Sequence, residues 1–218
     1  MSRRRIYLMR HGAVSYFEDG RPVRPETVPL TVAGRDQAHA AAAMLRGIEL
    51  DRVLTSGLPR AEETARIVAP DVEPESWPDL RELESGRLEE IPEDELERTF
   101  LHAFKDVVPE EARFLGGETI GSLFDRVLGA LDRLLADERW DTTLAVLHGG
   151  VNRAILSHAL TGGRTFLGNL EQAPACVNVL DVADDWIVRA VNVTPYDLAH
   201  LGGRTTTMEE LWQQFRSI

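Results

Sequence analysis

The sequence predicts an α/β fold: a three-layer sandwich with a mainly parallel sheet, helices on both faces and a small inserted cap. Three observations lead there. Short apolar runs alternate with helical stretches, as sequential strand-helix units require. Three of those runs stop at polar, glycine-bearing clusters. One acidic segment breaks the alternation. In order, Ile6-Tyr7-Leu8-Met9 reads as a buried strand emptying into Arg10-His11-Gly12. After a polar, proline-bearing stretch from Glu18 to Pro29, Thr31 can cap a helix through Ala38 to Leu45, with Gly47 as its stop. Arg52-Val53-Leu54-Thr55 is the second strand, Ser56-Gly57 a turn, and Pro59 the first residue of a helix carrying Ala61, Thr64, Ala65 and Val68.

From Trp77 to Gly117 the pattern gives way to an acidic stretch with Glu89, Glu90, Glu93, Asp94, Glu95 and Glu97, the expected cap, set at about residues 87–118 within a single domain of residues 1–218. The acids read as a solvated helix face, the sharper alternative being a fence against polyanionic substrates. Ile120, Leu123, Phe124, Val127, Leu128, Leu131, Leu134 and Leu135 keep helical spacing over four turns, with Asp125, Arg126, Asp132 and Arg133 off that stripe. Thr143 to Leu147 is the third strand, ending at His148-Gly149-Gly150 before a helix from Val151 to Leu160. Val177–Val182 and Trp186–Val193 read as further strands and Met208 to Phe215 as a last helix.

Composition narrows the function. The 218 residues include 24 Lys and Arg against 36 Asp and Glu, a formal charge of -12, which opposes binding to nucleic acid or an anionic membrane. No apolar segment approaches the roughly 18 residues of a membrane span, and the run behind Arg3-Arg4-Arg5 is too short for a signal peptide. The lone Cys176 excludes an internal disulfide and suits a reducing compartment, so the expected location is the cytoplasm. The reading admits a homodimer and calls for neither cofactor nor metal.

The strand ends carry the chemistry. In open α/β sheets ligands bind at the carboxyl ends of strands, where Arg10 and His11, Arg60 in the first turn of its helix, and His148 with Gly149 are all expected. Each alone has an ordinary explanation, a surface arginine or a capped strand-end histidine. Together with the orphan N–H groups of helix starts they describe an anion site, and a phosphate dianion fits best because guanidinium forks pair with its oxygens.

Leu8-Met9-Arg10-His11-Gly12, Thr55-Ser56-Gly57-Leu58-Pro59-Arg60-Ala61-Glu62-Glu63-Thr64-Ala65, Leu80-Arg81-Glu82-Leu83, Gly116-Gly117-Glu118-Thr119 and Leu147-His148-Gly149-Gly150 resemble, in order, the motifs of the histidine phosphatase superfamily, also called the phosphoglycerate mutase-like family. The resemblance implies that His11 is the nucleophile that becomes phosphorylated, that Arg10, Arg60 and His148 bind the phosphoryl group, and that Glu82 is the general acid. A neutral imidazole can attack phosphorus and leave again, provided a backbone acceptor holds one nitrogen so that the other is free. Positioning and positive charge supply the rest.

The chain departs from the family where Ala13-Val14-Ser15-Tyr16-Phe17 stand in place of a frequent Asn, and where Thr27-Val28 precede Pro29-Leu30-Thr31. The long mutase insertion is not recognisable between Arg87 and Phe114. The expected function is therefore hydrolysis of a small phosphorylated metabolite by a phosphomonoesterase. A phosphomutase is the first rival and a non-catalytic phosphate-ligand binder the second. His39, His102, His158 and His200, the four tryptophans and Cys176 read as ordinary packed or solvated residues. No zinc, nucleotide-loop, esterase-elbow or dinucleotide motif is present.

Overall fold

The computed structural model describes residues 3–18, 21–202 and 204–217; residues 19 and 20 of the expected Glu18–Pro29 loop lie outside them. Six strands form the main sheet: β1 (Arg4–Arg10), β2 (Arg52–Thr55), β3 (Glu75–Ser76), β4 (Thr142–Leu147), β5 (Val177–Val182) and β6 (Trp186–Val193). Their spatial order is β6-β5-β1-β4-β2-β3. The pairings β1–β4, β4–β2 and β2–β3 are parallel, with Ile6 opposite Thr143 and Leu54 opposite Ala145. β5 and β6 add an antiparallel edge, Ile6 facing Leu180. The sheet is thus mainly parallel. β3 escapes the sequence pattern because two polar residues at a sheet edge have no periodicity to show; a short edge of this kind also discourages further strand pairing.

Six helices are described: α1 (Val32–Met44), α2 (Pro59–Val68), α3 (Glu93–Leu101), α4 (Ile120–Ala136), α5 (Gly149–Thr161) and α6 (Thr207–Arg216). Strand alternation sends Ile6 and Leu8 to one face, where Leu123, Phe124, Val127 and Leu131 of α4 and Val151, Ala154 and Ile155 of α5 cover them. Tyr7 and Met9 face the other way, onto Ala38 and Ala41 of α1 and Ala61, Ala65 and Val68 of α2. Leu8 and Leu147 have no exposed surface, so truncating either to Ala should cost about 2–5 kcal/mol.

Thr31 caps α1 as expected, its hydroxyl accepting from Gly34 N–H at 3.0 Å. α5 starts two residues before the expected Val151, with His148 in the N-cap position. The acidic residues of α3 are exposed and concentrated in its first turn, where they complement the helix dipole. α3 and its flanking turns do not stand alone: Phe100 and Leu115 join Met208 in a third apolar cluster, packed by Leu88, Leu96, Leu211, Trp212 and Phe215. The acidic segment and the C-terminal helix α6 are therefore one packed unit. No described helix is long and apolar enough to cross a membrane.

Candidate active site

β1, β4 and β2 lie side by side, so the residues that follow them converge at one rim. His11 leaves β1, His148 leaves β4, and Ser56 leaves β2 just before α2 brings in Arg60. The loop after β1 can lie this close to α1 because Gly12 has no side chain: a Cβ there would sit 2.4 Å from the Gly34 carbonyl oxygen. Thr64 ties the same loop to α2, accepting from Gly12 N–H at 3.1 Å and donating to the Arg60 carbonyl at 2.7 Å.

His11 is buried, and its Nδ1 lies 2.8 Å from the Gly12 carbonyl oxygen. A carbonyl only accepts, so Nδ1 carries the hydrogen and Nε2 has a free lone pair. Arg60 Nε donates to that Nε2 at 3.3 Å, and its Nη1 is held by the Pro25 carbonyl at 2.5 Å. The rings of His11 and His148 meet edge to face with centroids 5.1 Å apart. His148 Nε2 lies 2.7 Å from Ser56 Oγ, while its Nδ1 is buried with no partner among the described residues. Burial, then the Arg60 and Arg10 charges, push the His11 pKa well below the ordinary imidazole value; for His148 burial again leads, followed by Arg60. Both imidazoles are neutral at pH 7.

Arg10 is anchored through Nη1 alone, which donates to the Gln172 carbonyl at 2.6 Å and to Thr207 Oγ1 at 3.0 Å. Its Nε is buried and unpartnered among the described residues. Neither Arg10 nor Arg60 faces a carboxylate within ion-pair distance among the described residues. Gly149 lies between Arg10 and Glu82: a Cβ on it would sit 3.8 Å from Arg10 Nε and 3.7 Å from Glu82 Oε2.

Glu82 is half-buried at the start of α5. Both its oxygens accept from Gly150 N–H at 3.1 Å, and Oε1 accepts from Leu83 N–H at 3.0 Å. Gly150 must be glycine for this approach, since a Cβ would fall 2.7 Å from Oε1. The Glu82 loop is held by Arg126, whose guanidinium donates to the carbonyls of Asp79 (2.8 Å) and Arg81 (2.6 Å) and pairs with Glu118 at 2.7 Å. Helical spacing places Arg126 only off the apolar stripe; its reach to the backbone of residues 79–82, more than forty residues away, carries no local signal. Gln172 and Thr207 were likewise missed, lying far from Arg10 in sequence. Gln172 is itself fixed by a buried amide cluster, accepting from Asn178 Nδ2 at 2.8 Å and Asn152 Nδ2 at 3.2 Å.

The structure thus brings together His11, Arg10, Arg60, His148, Glu82 and Gly149. At this rim two buried arginines, with no carboxylate within ion-pair distance among the described residues, lie beside two buried histidines, an arrangement whose charge and donors complement an oxyanion. The chain belongs to the histidine phosphatase superfamily (branch 1), whose family model matches residues 6–194. It is 31% identical over 198 residues to the "Probable 2-carboxy-D-arabinitol-1-phosphatase" of Arabidopsis thaliana, covering 88% of this chain and 40% of that one. The chain spans about two fifths of the length of this plant relative. It is 33% identical over 159 residues to the "Probable phosphoglycerate mutase GpmB" of Yersinia pestis, covering 71% of this chain and 74% of the relative. The alpha-ribazole phosphatase structure from Shigella flexneri shares the fold, with a TM-score of 0.71 at 24% identity over 86% of this chain and 96% of that one.

Proposed function

We propose that the protein is a phosphomonoesterase that hydrolyses a small phosphorylated metabolite through a phosphohistidine on His11. One observation carries the reading: a buried, neutral His11 whose Nε2 lone pair, among the described residues, meets only Arg60 Nε, beside an Arg10 with no carboxylate in ion-pair distance among the same residues. In the first step Nε2 attacks phosphorus and the bond to the ester oxygen breaks. Glu82 acts as the general acid, supplying the proton that the leaving alkoxide takes up. Arg60 moves its N–H from Nε2 to a phosphoryl oxygen, Arg10 pairs through its unfilled edge, and His148 donates from Nδ1 while Nε2 accepts from Ser56. Water then attacks the phosphohistidine and passes a proton to Glu82, releasing inorganic phosphate and restoring neutral His11.

The relatives' names, a phosphatase on a carboxylated sugar alcohol and a phosphoglycerate mutase, support a small phosphorylated substrate. The segment at about residues 87–118 acts as the cap of a single domain of residues 1–218, with the exposed acids of α3 forming its solvated face. The cytoplasm suits the buried Cys176, whose thiol pKa burial pushes up to about 12. The test is phosphate release across a panel of phosphomonoesters, run beside 3-phosphoglycerate with a bisphosphoglycerate primer. Free phosphate should appear faster than the 2-isomer. Efficient isomerisation without phosphate release would make the enzyme a mutase, and binding without turnover of any ester would make it a phosphate-ligand binder.

A further inference from the structure

Helix α6 begins at Thr207, beyond the residues 6–194 that the family model matches, yet it supplies a group to the site. Arg10 Nη1 has two hydrogens. One goes to the Gln172 carbonyl and the other to Thr207 Oγ1. The Thr207 hydroxyl in turn donates to Glu171 Oε1 at 2.6 Å, and Glu171 Oε2 takes Nη2 of the buried Arg153 at 3.1 Å. We propose that Thr207 is a positioning residue for Arg10, fixing its guanidinium plane so that the Nε–Nη2 edge is presented as a fork to the phosphoryl oxygens. The proposal rests on the reading of Arg10 as a phosphoryl-binding residue.

The geometry favours a hydroxyl here over the two obvious alternatives. With the Gln172 carbonyl as its only acceptor, the guanidinium could pivot about that single bond; the second acceptor, on the same nitrogen, fixes the plane. A carboxylate would fix it as well but would pair with the charge that the substrate needs. Thr207 stands between Arg10 and Glu171, so the acid is engaged by Arg153 and by a neutral hydroxyl instead of by Arg10 itself.

Thr207 is held in register from two sides. Thr206 and Glu209 cap α6 reciprocally, and Met208, Trp212 and Phe215 pack the helix on Phe100 of α3. The C-terminal helix and the cap are therefore seated on the phosphate-binding arginine through one hydroxyl.

The test uses the full chain as T207V, T207S and R10A, with the double variant R10A/T207V. Vanadate affinity and kcat and KM on p-nitrophenyl phosphate are measured alongside thermal unfolding. T207V should weaken vanadate binding and lower kcat/KM by about tenfold, the loss of one charge-assisted hydrogen bond, without a matching fall in thermal midpoint. T207S should stay within about twofold of wild type, and adding T207V to R10A should change nothing further. If T207V fails to fold, T207A, which leaves the Thr206–Glu209 cap in place, carries the same expectation. Wild-type behaviour in T207V, an equal loss in T207S, or additive losses in the double variant would overturn the proposal. Failure of the wild-type chain to bind vanadate or turn over substrate would instead overturn the assignment of the site on which it rests.

Discussion

Both ends of the sheet carry arginines, but Arg10 and Arg60 at one end are held differently from those at the other. At the amino ends of the parallel strands, Arg5 and Arg189 share Asp181, each at 2.7 Å, Arg3 pairs with Asp185 at 2.6 Å, and Arg52 is held by Glu75 and Asp137. The Asp181 carboxyl is accordingly held below the usual carboxylate range, first by its bond to Arg5. At the carboxyl ends, Arg10 and Arg60 are held by the carbonyls of Gln172 and Pro25, a threonine hydroxyl and an imidazole nitrogen. Neutral acceptors orient a guanidinium without cancelling its charge. In a chain with net charge -12, Arg10 and Arg60 keep their positive charge uncompensated because no carboxylate among the described residues lies within ion-pair distance of either, which is the basis for proposing an anion site at this rim.

The site rim should show the largest mutational effects. Glu82→Gln should slow phosphoenzyme formation from alkyl phosphates by roughly two to four powers of ten, since an alkoxide needs its proton in the transition state. With p-nitrophenyl phosphate, whose phenolate leaves unaided, the single-turnover loss should be much smaller. Equal losses on both would reduce Glu82 to a group that orders the loop. Arg60→Lys should lower kcat/KM by about two to three powers of ten, because an ammonium cannot reproduce the fork. Arg5→Lys, at the carboxylate-paired rim, should leave kcat/KM within about twofold and shift unfolding by less than about 1 kcal/mol. Comparable losses at both rims would remove the distinction drawn between them.

The two rims should also titrate apart. His11 and His148 have folded pKa values well below 6.5, so below that pH the unfolded chain binds protons that the folded chain refuses. Stability is then lost as pH falls from about 6.5 toward the folded values, by up to about 1.4 kcal/mol per pH unit for each histidine. Asp181 and Asp185 have depressed pKa values, so their contribution persists until the pH falls below the unfolded aspartate value near 3.8. Urea unfolding from pH 7 to 5 should show the first loss, and His11→Asn should reduce its slope. An unchanged slope in that variant would mean the imidazole is not held neutral by the fold.

Much of this was legible in the sequence because the site residues sit where periodicity stops. Arg10-His11 and His148 end apolar strands, and Pro59 fixes Arg60 in a first helical turn. Glu82 was legible only through the resemblance of Leu80-Arg81-Glu82-Leu83, since that segment has no period of its own. Arg126 and Thr207 were not legible as site residues at all. Helical spacing reports which face buries apolar side chains, and nothing in it says that Arg126 reaches the carbonyls behind Glu82 or that a threonine 197 residues from Arg10 meets its guanidinium. Those contacts are consequences of how α4 and α6 pack, a non-local property. The mixed edge divides the same way: three residues between β5 and β6 allow only an antiparallel hairpin, whereas the antiparallel pairing of β5 with β1, about 170 residues away, is non-local.

The central claim, that His11 is the nucleophile, is tested most directly by rapid acid-free quench of the enzyme with substrate followed by intact-protein and peptide mass measurement. A single acid-labile phosphoryl adduct on His11 is expected, formed at a rate that accounts for turnover and absent in His11→Ala. Turnover of His11→Ala at the wild-type rate, or a kinetically competent adduct on another residue, would contradict it.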